Sequence, residues 1–328
     1  MSSAAPRPVV LLGRMYHPEG EERLRAAVPV VVLEQPQPAQ VAEALKEAAG
    51  VFVRYPNKLR AEAIAAAPHL RIISTSGRGT DAIDLAAATR HGVPVVNHPA
   101  FGTVPVAEQT VGVMIAFAKN LLPLNRMTHE GRGWLAQKEF RRTELRGKTL
   151  GIVGLGNIGA EVTRICVQAF RMKVLAYDPY VPASKAVALG AEPVDRLVRI
   201  WSESDYVSMH PELNDETRGM VGEAELAQMK PQAILINTAR GPIVKAAPLA
   251  AALRARRIAG AALDVYEDEP LAADNPLAGL DNLILSPHTA GLTDEALHDM
   301  ALSAADQILM ALRGERPPYL VNPAVWKG

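Results

Sequence analysis

The chain has 328 residues, 48% of them hydrophobic and 21% charged, which is typical of a globular protein of about two domains. Its 35 basic and 35 acidic side chains leave no net charge that would attract nucleic acid or an anionic lipid surface. A single cysteine, an apolar run at Val9–Leu12 too short for a signal-peptide core, and the lack of any apolar run of about 18 residues predict a cytoplasmic protein without membrane or nucleic-acid partners.

The first part of the chain alternates between short β-branched runs and Ala-rich segments with helical spacing. Apolar strands that do not alternate with polar residues, separated by helical lengths, are typical of a parallel sheet covered on both faces. The predicted strands are 9–12, 30–33, 51–53, 72–74 and 93–96, and the predicted helices are 21–27, 40–49, 61–67 and 84–90. One long helix is expected over 104–124.

A second strand–helix series begins at Lys148. Its predicted strands are 150–153, 174–177, 206–209, 233–237, 261–265 and 283–286, with helices that include 158–170, 223–229 and 248–256. A final Ala- and Leu-rich helix is expected over 294–312. Because the strand–helix alternation occurs twice, we expect two α/β domains.

The segment 154–159 reads Gly-Leu-Gly-Asn-Ile-Gly and lies between a predicted strand and a predicted helix. In that context the glycines permit a tight turn, and the N–H groups that begin the helix can bind a pyrophosphate. Asp178 lies about 20 residues further on, at the end of the next strand, where a carboxylate accepts hydrogen bonds from ribose hydroxyls. The same carboxylate would repel a 2′-phosphate, and residues 179–181 include no Arg or Lys. The sequence therefore predicts NAD rather than NADP.

Three polar segments, 236–241, 263–270 and 285–291, each follow a predicted strand. In a doubly wound sheet such segments gather at the ligand crevice, so we expect Arg240, Glu269 and His288 to meet. Taken singly, Arg240 also suits a structural ion pair, Glu269 a helix N-terminus and His288 a structural role. No group of His, Cys and acidic residues has the spacing of a metal site, and none is predicted.

Together these motifs resemble the D-isomer-specific 2-hydroxyacid dehydrogenase family, which includes phosphoglycerate, glycerate/hydroxypyruvate and D-lactate dehydrogenases. The resemblance covers nearly the whole chain and also includes the segments 76–81, 96–99, 106–108 and 207–210. It implies two doubly wound parallel-sheet α/β domains. A Rossmann NAD-binding domain at 99–290 would be inserted into a flavodoxin-like substrate domain formed by 1–98 and the C-terminal segment 291–328. It also implies a homodimer.

The implied reaction is the NAD-dependent interconversion of a 2-keto acid and a D-2-hydroxy acid. His288 would donate the proton, Glu269 would fix its tautomer and favour the imidazolium, and Arg240 would bind the carboxylate and polarise the keto oxygen. The implied substrate-binding residues are Ser76, Gly77, Arg78, Gly79 and Arg54. The implied cofactor contacts are Thr103, Gly154, Gly156, Asn157, Ile158, Gly159, Asp178, His210, Thr217, Thr238, Ala239, Asp264, Ala290 and Gly291.

Two arginines leave the substrate open. Arg78 occupies a loop position that is small and apolar in many relatives, and Arg54 matches a substrate-side arginine of phosphoglycerate dehydrogenases. Both cations would suit a second anionic group on the substrate, such as a second carboxylate or a phosphate. Alternatively, Arg78 points to solvent or to the cofactor pyrophosphate.

Other functions on this fold also remain open. One is a dinucleotide-sensing binding protein that resembles a transcriptional corepressor. Another is oxidation of formate or phosphite. Formate dehydrogenases replace the glutamate of the catalytic pair with glutamine, so Glu269 argues against formate, whereas phosphite dehydrogenases keep the glutamate.

Overall fold

A computed structural model describes residues 6–327, and it divides into two units. One unit extends to Gly102 and resumes at Leu292, and the other is the contiguous segment Thr103–Gly291. The sequence analysis placed the corresponding boundaries at 98/99 and 290/291. The first unit is therefore assembled from the two ends of the chain.

The first unit contains a five-stranded parallel sheet in the order β2-β1-β3-β4-β5. Its strands are β1 (Val9–Leu12), β2 (Val30–Leu33), β3 (Gly50–Val53), β4 (Ile72–Thr75) and β5 (Val95–Val96). Its helices are α1 (Pro18–Arg25), α2 (Pro38–Leu45), α3 (Ala61–Ala65), α4 (Leu85–Arg90) and, from the end of the chain, α12 (Asp294–Leu312).

Both faces of this sheet are buried because successive side chains of a strand point to opposite faces. Val10 and Leu12 pack with residues of α2, α3 and α4, whereas Val9 and Leu11 pack with α1 and α12. The C-terminal segment also joins the edge strand, where Val321 donates its N–H to the Val95 carbonyl at 2.8 Å. The unit therefore needs the end of the chain to complete its core.

The second unit contains a seven-stranded parallel sheet in the order β12-β11-β10-β9-β6-β7-β8. Its strands are β6 (Thr149–Val153), β7 (Lys173–Tyr177), β8 (Glu192–Pro193), β9 (Tyr206–Met209), β10 (Ile234–Asn237), β11 (Gly260–Leu263) and β12 (Leu283–Leu285). Its helices are α5 (Thr103–Lys119), α6 (Leu121–His129), α7 (Asn157–Gln168), α8 (Ala183–Ala188), α9 (Leu197–Glu203), α10 (Glu223–Gln228) and α11 (Ala246–Arg254).

The order of these strands reverses direction between β6 and β9. The chain runs outward from β6 through β7 to β8, and then returns to β9 on the other side of β6. Ligands of doubly wound sheets bind at the carboxyl ends of the strands where the order reverses. Two parallel-sheet α/β units confirm the predicted fold class, and the reversal identifies the edge of the sheet on which a ligand is expected.

The single helix predicted over 104–124 is wrong. The structure has two helices, α5 and α6, because Asn120 adopts the left-handed conformation with φ 52°. Asparagine tolerates this conformation better than most residues, and its side-chain Nδ2 donates to the Arg141 carbonyl at 2.9 Å. The apolar pattern continues across the break and could not reveal it. Strand β8 and helices α8 and α9 were also not predicted.

A buried histidine, His98, connects three segments of the first unit. Its Nε2 lies 3.0 Å from the Thr75 carbonyl, an acceptor only, so Nε2 carries the proton. Its Nδ1 lies 3.0 Å from the hydroxyl of Ser303 on α12. Its backbone N–H donates to the Gly77 carbonyl at 3.0 Å. Burial lowers the pKa of His98 to about 4, so the ring is neutral near pH 7.

The burial of His98 makes stability depend on pH. Its folded pKa of about 4 lies below the ordinary value of 6.5, so the unfolded chain binds the proton more readily and stability falls as pH drops below about 6.5. We expect His98 to contribute about 2 kcal/mol to the loss between pH 7 and 5. Denaturant unfolding across this range measures it. His98→Gln should reduce the slope without abolishing it, because burial also lowers the pKa of His210 to about 3.

The matched control is His91→Gln, since His91 is an exposed histidine of the same unit. Its pH slope should equal that of the wild type. An undiminished slope in His98→Gln would show that the buried ring is not the source.

Candidate active site

The three glycines of segment 154–159 lie in different structural environments. Gly154 has φ +89°, and a Cβ there would lie 2.7 Å from the backbone of His210 at the end of β9. A Cβ at Gly159 would collide with the Gly154 carbonyl oxygen. A Cβ at Gly156 would meet nothing within 4 Å. The first and third glycines are therefore needed for packing, whereas the second leaves open space at the N-terminus of α7.

Asp178 is fixed beside this turn, just after β7. Its Oδ2 accepts the N–H of Leu155 at 2.7 Å, and its Oδ1 accepts the N–H of Tyr180 at 2.9 Å. Each carboxylate oxygen has two lone pairs, so both retain capacity for a ligand hydroxyl.

These features fit a dinucleotide. The open space at Gly156 adjoins the first N–H groups of α7, which suit a pyrophosphate, and Asp178 suits the adenosine ribose. Asn157 and Ile158 begin the helix. The residues predicted from the glycine motif therefore converge at the end of the sheet where the strand order reverses.

His288 and Glu269 form a hydrogen-bonded pair. Nδ1 of His288 lies 2.7 Å from Oε2 of Glu269, and Oε1 of Glu269 accepts the N–H of Tyr266 at 3.0 Å. The glutamate side chain is 14% exposed and the histidine side chain is 40% exposed. A carboxylate only accepts hydrogen bonds, so Nδ1 carries a proton and Nε2 is the atom that can exchange one with a ligand.

The loop that carries His288 is held by the carboxylate of Asp264. Asp264 is only 3% exposed. Its carboxylate accepts hydrogen bonds from the Ser286 hydroxyl at 2.6 Å and from the N–H groups of Thr289 and Ala290, both at 2.9 Å. His288 itself has φ 55°, in the left-handed region. A histidine in that region is uncommon, and the bonds around it specify the conformation.

Arg240 lies one loop away, directly after β10. Asn237 shapes its turn by donating from Nδ2 to the Arg240 carbonyl at 2.9 Å, while its Oδ1 accepts the N–H of Ala239 at 3.1 Å. Gly241 lies so close to the backbone of Tyr266 that a Cβ would collide with it. The Arg240 loop therefore packs on the loop that leads to Glu269. Strands β10, β11 and β12 are neighbours, so Arg240, Glu269 and His288 follow adjacent strands. A contact of Arg240 with the pair stays a prediction.

Several predicted cofactor contacts have bonding partners inside the protein. The hydroxyl of Thr238 lies 3.2 Å from that of Thr110 on α5, and the hydroxyl of Thr217 donates to the Glu212 carbonyl at 2.6 Å. Nε2 of His210 lies 2.9 Å from the Ser208 hydroxyl. Thr103 begins α5, Ala290 is buried and Gly291 is partly buried. Their contacts with a cofactor stay predictions.

The predicted substrate loop belongs to the first unit. Its backbone is held by Asn97, whose Nδ2 donates to the Arg78 carbonyl at 2.8 Å, and by the His98 contact with Gly77. The Ser76 hydroxyl accepts the N–H of Tyr55 at 3.3 Å. Gly79 is partly buried. The loop therefore has a fixed backbone, while its role in binding stays a prediction.

Arg54 follows β3 in the same unit. Its guanidinium carbon lies 4.4 Å from the centre of the Tyr16 ring, a cation–π contact, and its Nη1 donates to the Arg14 carbonyl at 3.1 Å. The Arg78 side chain belongs to an exposed residue. The sequence analysis did not identify Tyr16, which lies far from Arg54 along the chain.

Two further residues of the second unit were also missed. Tyr266 supports the histidine loop by donating from its hydroxyl to the Ser286 carbonyl at 2.7 Å, and burial raises the pKa of that hydroxyl to about 12. Glu267 accepts the N–H of Ala246 at 2.7 Å and so caps α11, which has no acid in its first turn. Both residues lie in the motif 263–270, but the sequence does not reveal their hydrogen-bond partners, Ser286 and Ala246.

A candidate ligand group for a metal occurs among residues 6–327. One atom each of His17, Glu19 and His298 lies within 4.8 Å of the others. Nε2 of His298 lies 3.0 Å from Oε2 of Glu19, and that hydrogen bond raises the pKa of His298. Glu19 and His298 therefore form an ion pair, and the His17 ring packs edge-on against that of His298, with 4.7 Å between the ring centres. Across the same residues, no helix has both the length and the apolar character needed to cross a bilayer.

Comparisons with known proteins identify the family of the chain. Residues 111–290 match the NAD binding domain of the D-isomer specific 2-hydroxyacid dehydrogenase family. A glyoxylate reductase of Aeropyrum pernix is 38% identical over 329 residues, which cover 98% of each chain. A D-3-phosphoglycerate dehydrogenase of Archaeoglobus fulgidus is 41% identical over 264 residues, 80% of this chain and 49% of that protein.

A solved structure adds a cofactor-bound neighbour. The NADPH-dependent glyoxylate/hydroxypyruvate reductase of Sinorhizobium meliloti, in complex with NADP and malonate, superposes with a TM-score of 0.87 at 27% identity, covering 99% of each chain. The fold and the glycine turn thus define an NAD-binding α/β protein. The chain belongs to the D-isomer specific 2-hydroxyacid dehydrogenase family, whose members are oxidoreductases. It spans about half the length of the D-3-phosphoglycerate dehydrogenases that it matches.

Gly156→Ala tests the dinucleotide site. The added methyl would enter the open space at the start of α7, so we expect NADH to bind at least about tenfold more weakly while the melting temperature changes little. Fluorescence titration with NADH and thermal unfolding measure the two effects.

Gly154→Ala serves as the contrast, because its backbone has φ +89° and its Cβ would press on His210. That variant should lose stability as well as binding. Wild-type affinity in Gly156→Ala would mean that the pyrophosphate lies elsewhere.

Proposed function

We propose that the protein is an NAD-dependent oxidoreductase that interconverts a 2-keto acid and a D-2-hydroxy acid by hydride transfer. The observation that carries this proposal is the 2.7 Å contact between His288 and Glu269, in the unit that matches an NAD binding domain. Membership of the family supports it. So do the activities named for similar proteins, a glyoxylate reductase and a D-3-phosphoglycerate dehydrogenase.

His288 acts as the acid in the direction of reduction. NADH, when bound, would supply the hydride for the keto carbon. Nε2 of His288 supplies the proton to the keto oxygen. Glu269, 2.7 Å from Nδ1, favours the imidazolium that must give up this proton and holds the ring in one orientation. In the reverse direction the same Nε2 accepts the proton of the hydroxy acid.

Arg240 binds the substrate carboxylate and polarises the keto oxygen. Its planar guanidinium offers paired donors that match a carboxylate, and the turn built by Asn237 fixes the backbone from which it extends. We assign Ser76, Gly77, Arg78 and Gly79 to carboxylate binding as well, supported by the held backbone of that loop.

Substitution of the catalytic groups tests the reaction. We expect His288→Ala and Arg240→Ala each to lower kcat for keto-acid reduction by at least about 100-fold, because proton transfer and an oriented cation each contribute that much. Glu269→Gln removes the carboxylate that holds the ring through Nδ1, so kcat should fall at least about tenfold. NADH oxidation followed by absorbance measures these rates.

NADH affinity and circular dichroism of these variants should match the wild type, and His91→Ala, a change at an exposed histidine, should leave kcat unchanged. Near-wild-type turnover in His288→Ala or Arg240→Ala would refute the assignment. A wild type that binds NADH but reduces no keto acid would instead favour a dinucleotide-sensing role.

We propose NAD as the preferred cofactor. The carboxylate of Asp178, fixed by two backbone N–H groups, would accept hydrogen bonds from ribose hydroxyls and would repel a 2′-phosphate. The remaining contacts assigned from the family, Thr103, His210, Thr217, Thr238, Ala239, Asp264, Ala290 and Gly291, belong to this proposal.

We further propose that Arg54 binds a second anionic group of the substrate. The carboxyl ends of β1 and β3 flank the reversal point of the first sheet, and Arg54 follows β3 there, held over Tyr16. The relatives divide on this point, since one named substrate is phosphorylated and the other, glyoxylate, is a small monocarboxylate.

A substrate panel with Arg54→Met tests this assignment. The wild type should have lower KM for phosphohydroxypyruvate or oxaloacetate than for glyoxylate or pyruvate. Arg54→Met should raise the KM of the doubly anionic substrates at least about tenfold, the size of one charge-assisted contact, and change that of glyoxylate much less. Arg60→Met, an exposed arginine of the same unit, is the control. Equal effects on both substrate classes would refute it.

Two broader assignments complete the proposal. A homodimer is supported by apolar side chains exposed on and after α6: Leu121 at 49%, Leu122 at 54%, Trp134 at 82% and Leu135 at 78%. A cytoplasmic location is supported by the lone cysteine, Cys166, a buried thiol whose pKa burial raises to about 12.

A further inference from the structure

The middle residue of the glycine turn is held from two sides. The N–H of Leu155 donates to Asp178 at 2.7 Å, and the carbonyl of Leu155 accepts the Nζ of Lys185 at 2.8 Å. The Leu155 side chain is buried in the core. An acid and a base from two further segments therefore fix one residue between Gly154 and Gly156.

Lys185 differs from Lys173, which lies at the opposite, amino end of β7. Lys173 on β7 pairs with Glu192 at 3.2 Å. Within residues 6–327, Lys185 has no carboxylate within the 4.0 Å of a salt bridge, and its bond to Leu155 is to a neutral carbonyl. An ammonium has three donors, so two remain after this bond. A positive charge without an ion-pair partner thus lies at a turn that fits an anion.

We propose that Lys185 is a cofactor-affinity residue that also reduces the preference for NAD over NADP. Its ammonium holds the turn through Leu155 and contributes positive potential to the phosphates that the turn binds. This potential opposes that of Asp178, so the chain discriminates less strongly against a 2′-phosphate than Asp178 alone would. The inference rests on the NAD-binding function proposed above.

The residues directly after Asp178, 179–181, include no Arg or Lys. Lys185 comes a turn later, on α8, and the short helix returns its side chain to the glycine turn. Charge at this turn acts on a ligand in proportion to the ligand's own charge, and NADPH has an additional phosphate. Loss of the lysine must therefore weaken NADPH binding more than NADH binding.

Direct binding measurements test this proposal. We expect Lys185→Met, which keeps most of the aliphatic stem, to raise the Kd of NADH about tenfold, the size of one hydrogen bond to a charged group. The Kd of NADPH should rise at least about threefold more than that of NADH, because its charge is larger. Fluorescence titration at low and high salt measures both, and high salt should reduce the difference.

Three comparisons make the test specific. Lys185→Arg, which keeps the charge, should return both Kd values to within about threefold of the wild type. Lys173→Met should leave both unchanged, because its partner is Glu192 on the surface. His91→Ala, at an exposed histidine of the first unit, should also leave both Kd values unchanged.

The outcomes separate this inference from the proposed reaction. Unchanged affinities in Lys185→Met would overturn the role of Lys185 and leave the reaction intact. Equal weakening of both nucleotides without rescue by arginine would mean a packing role and would also overturn it. A wild type that binds both nucleotides but reduces no keto acid would refute the reaction, while the binding data still decide on Lys185.

Discussion

The carboxylate of Asp264 determines the geometry on which the candidate active site depends. Asp264 is almost fully buried, and its carboxylate accepts hydrogen bonds from one hydroxyl and two backbone N–H groups of the loop 286–290. Those bonds hold His288 in the left-handed backbone conformation, which residues other than glycine adopt uncommonly. The pair with Glu269 follows, because the ring can meet that carboxylate only from a fixed backbone. The buried acid acts through geometry, and the partly exposed His288 is the residue that we propose acts on the substrate.

The parallel sheet explains how residues far apart in the sequence come to lie on adjacent loops. Parallel strands deliver their carboxyl ends to one edge, and the neighbouring strands β10, β11 and β12 bring residues separated by up to about fifty positions to adjacent loops. Close backbone packing at Gly241 brings two of these loops together. On the far side of β9, the turn at Gly154 packs on the backbone of His210. The candidate site is therefore built from loops at the carboxyl ends of the strands, and the order of the strands determines which loops are neighbours.

Sequence reasoning predicted the parts that follow a local rule. The non-alternating apolar runs predicted both sheets, the glycine spacing predicted the turn before α7, and the polar segments after strands predicted that Glu269 and His288 meet. Features that depend on residues distant in the sequence were not predicted. Asn120 breaks a helix whose apolar pattern is continuous, Lys185 reaches Leu155 only through tertiary structure, and the bonds of Asp264 join residues more than twenty positions apart.

The return of the C-terminal segment to the first sheet has a consequence for synthesis. A ribosome delivers the contiguous unit Thr103–Gly291 complete, whereas the first unit waits for α12 and for Asn322, which accepts the N–H of Val95 at 2.7 Å. Until α12 is synthesised, one apolar face of the sheet of β1 to β5 lacks one of the two helices that cover it. The nascent chain therefore leaves part of that face exposed, and an early stop codon before α12 would yield a folded central unit and an unfinished, aggregation-prone one.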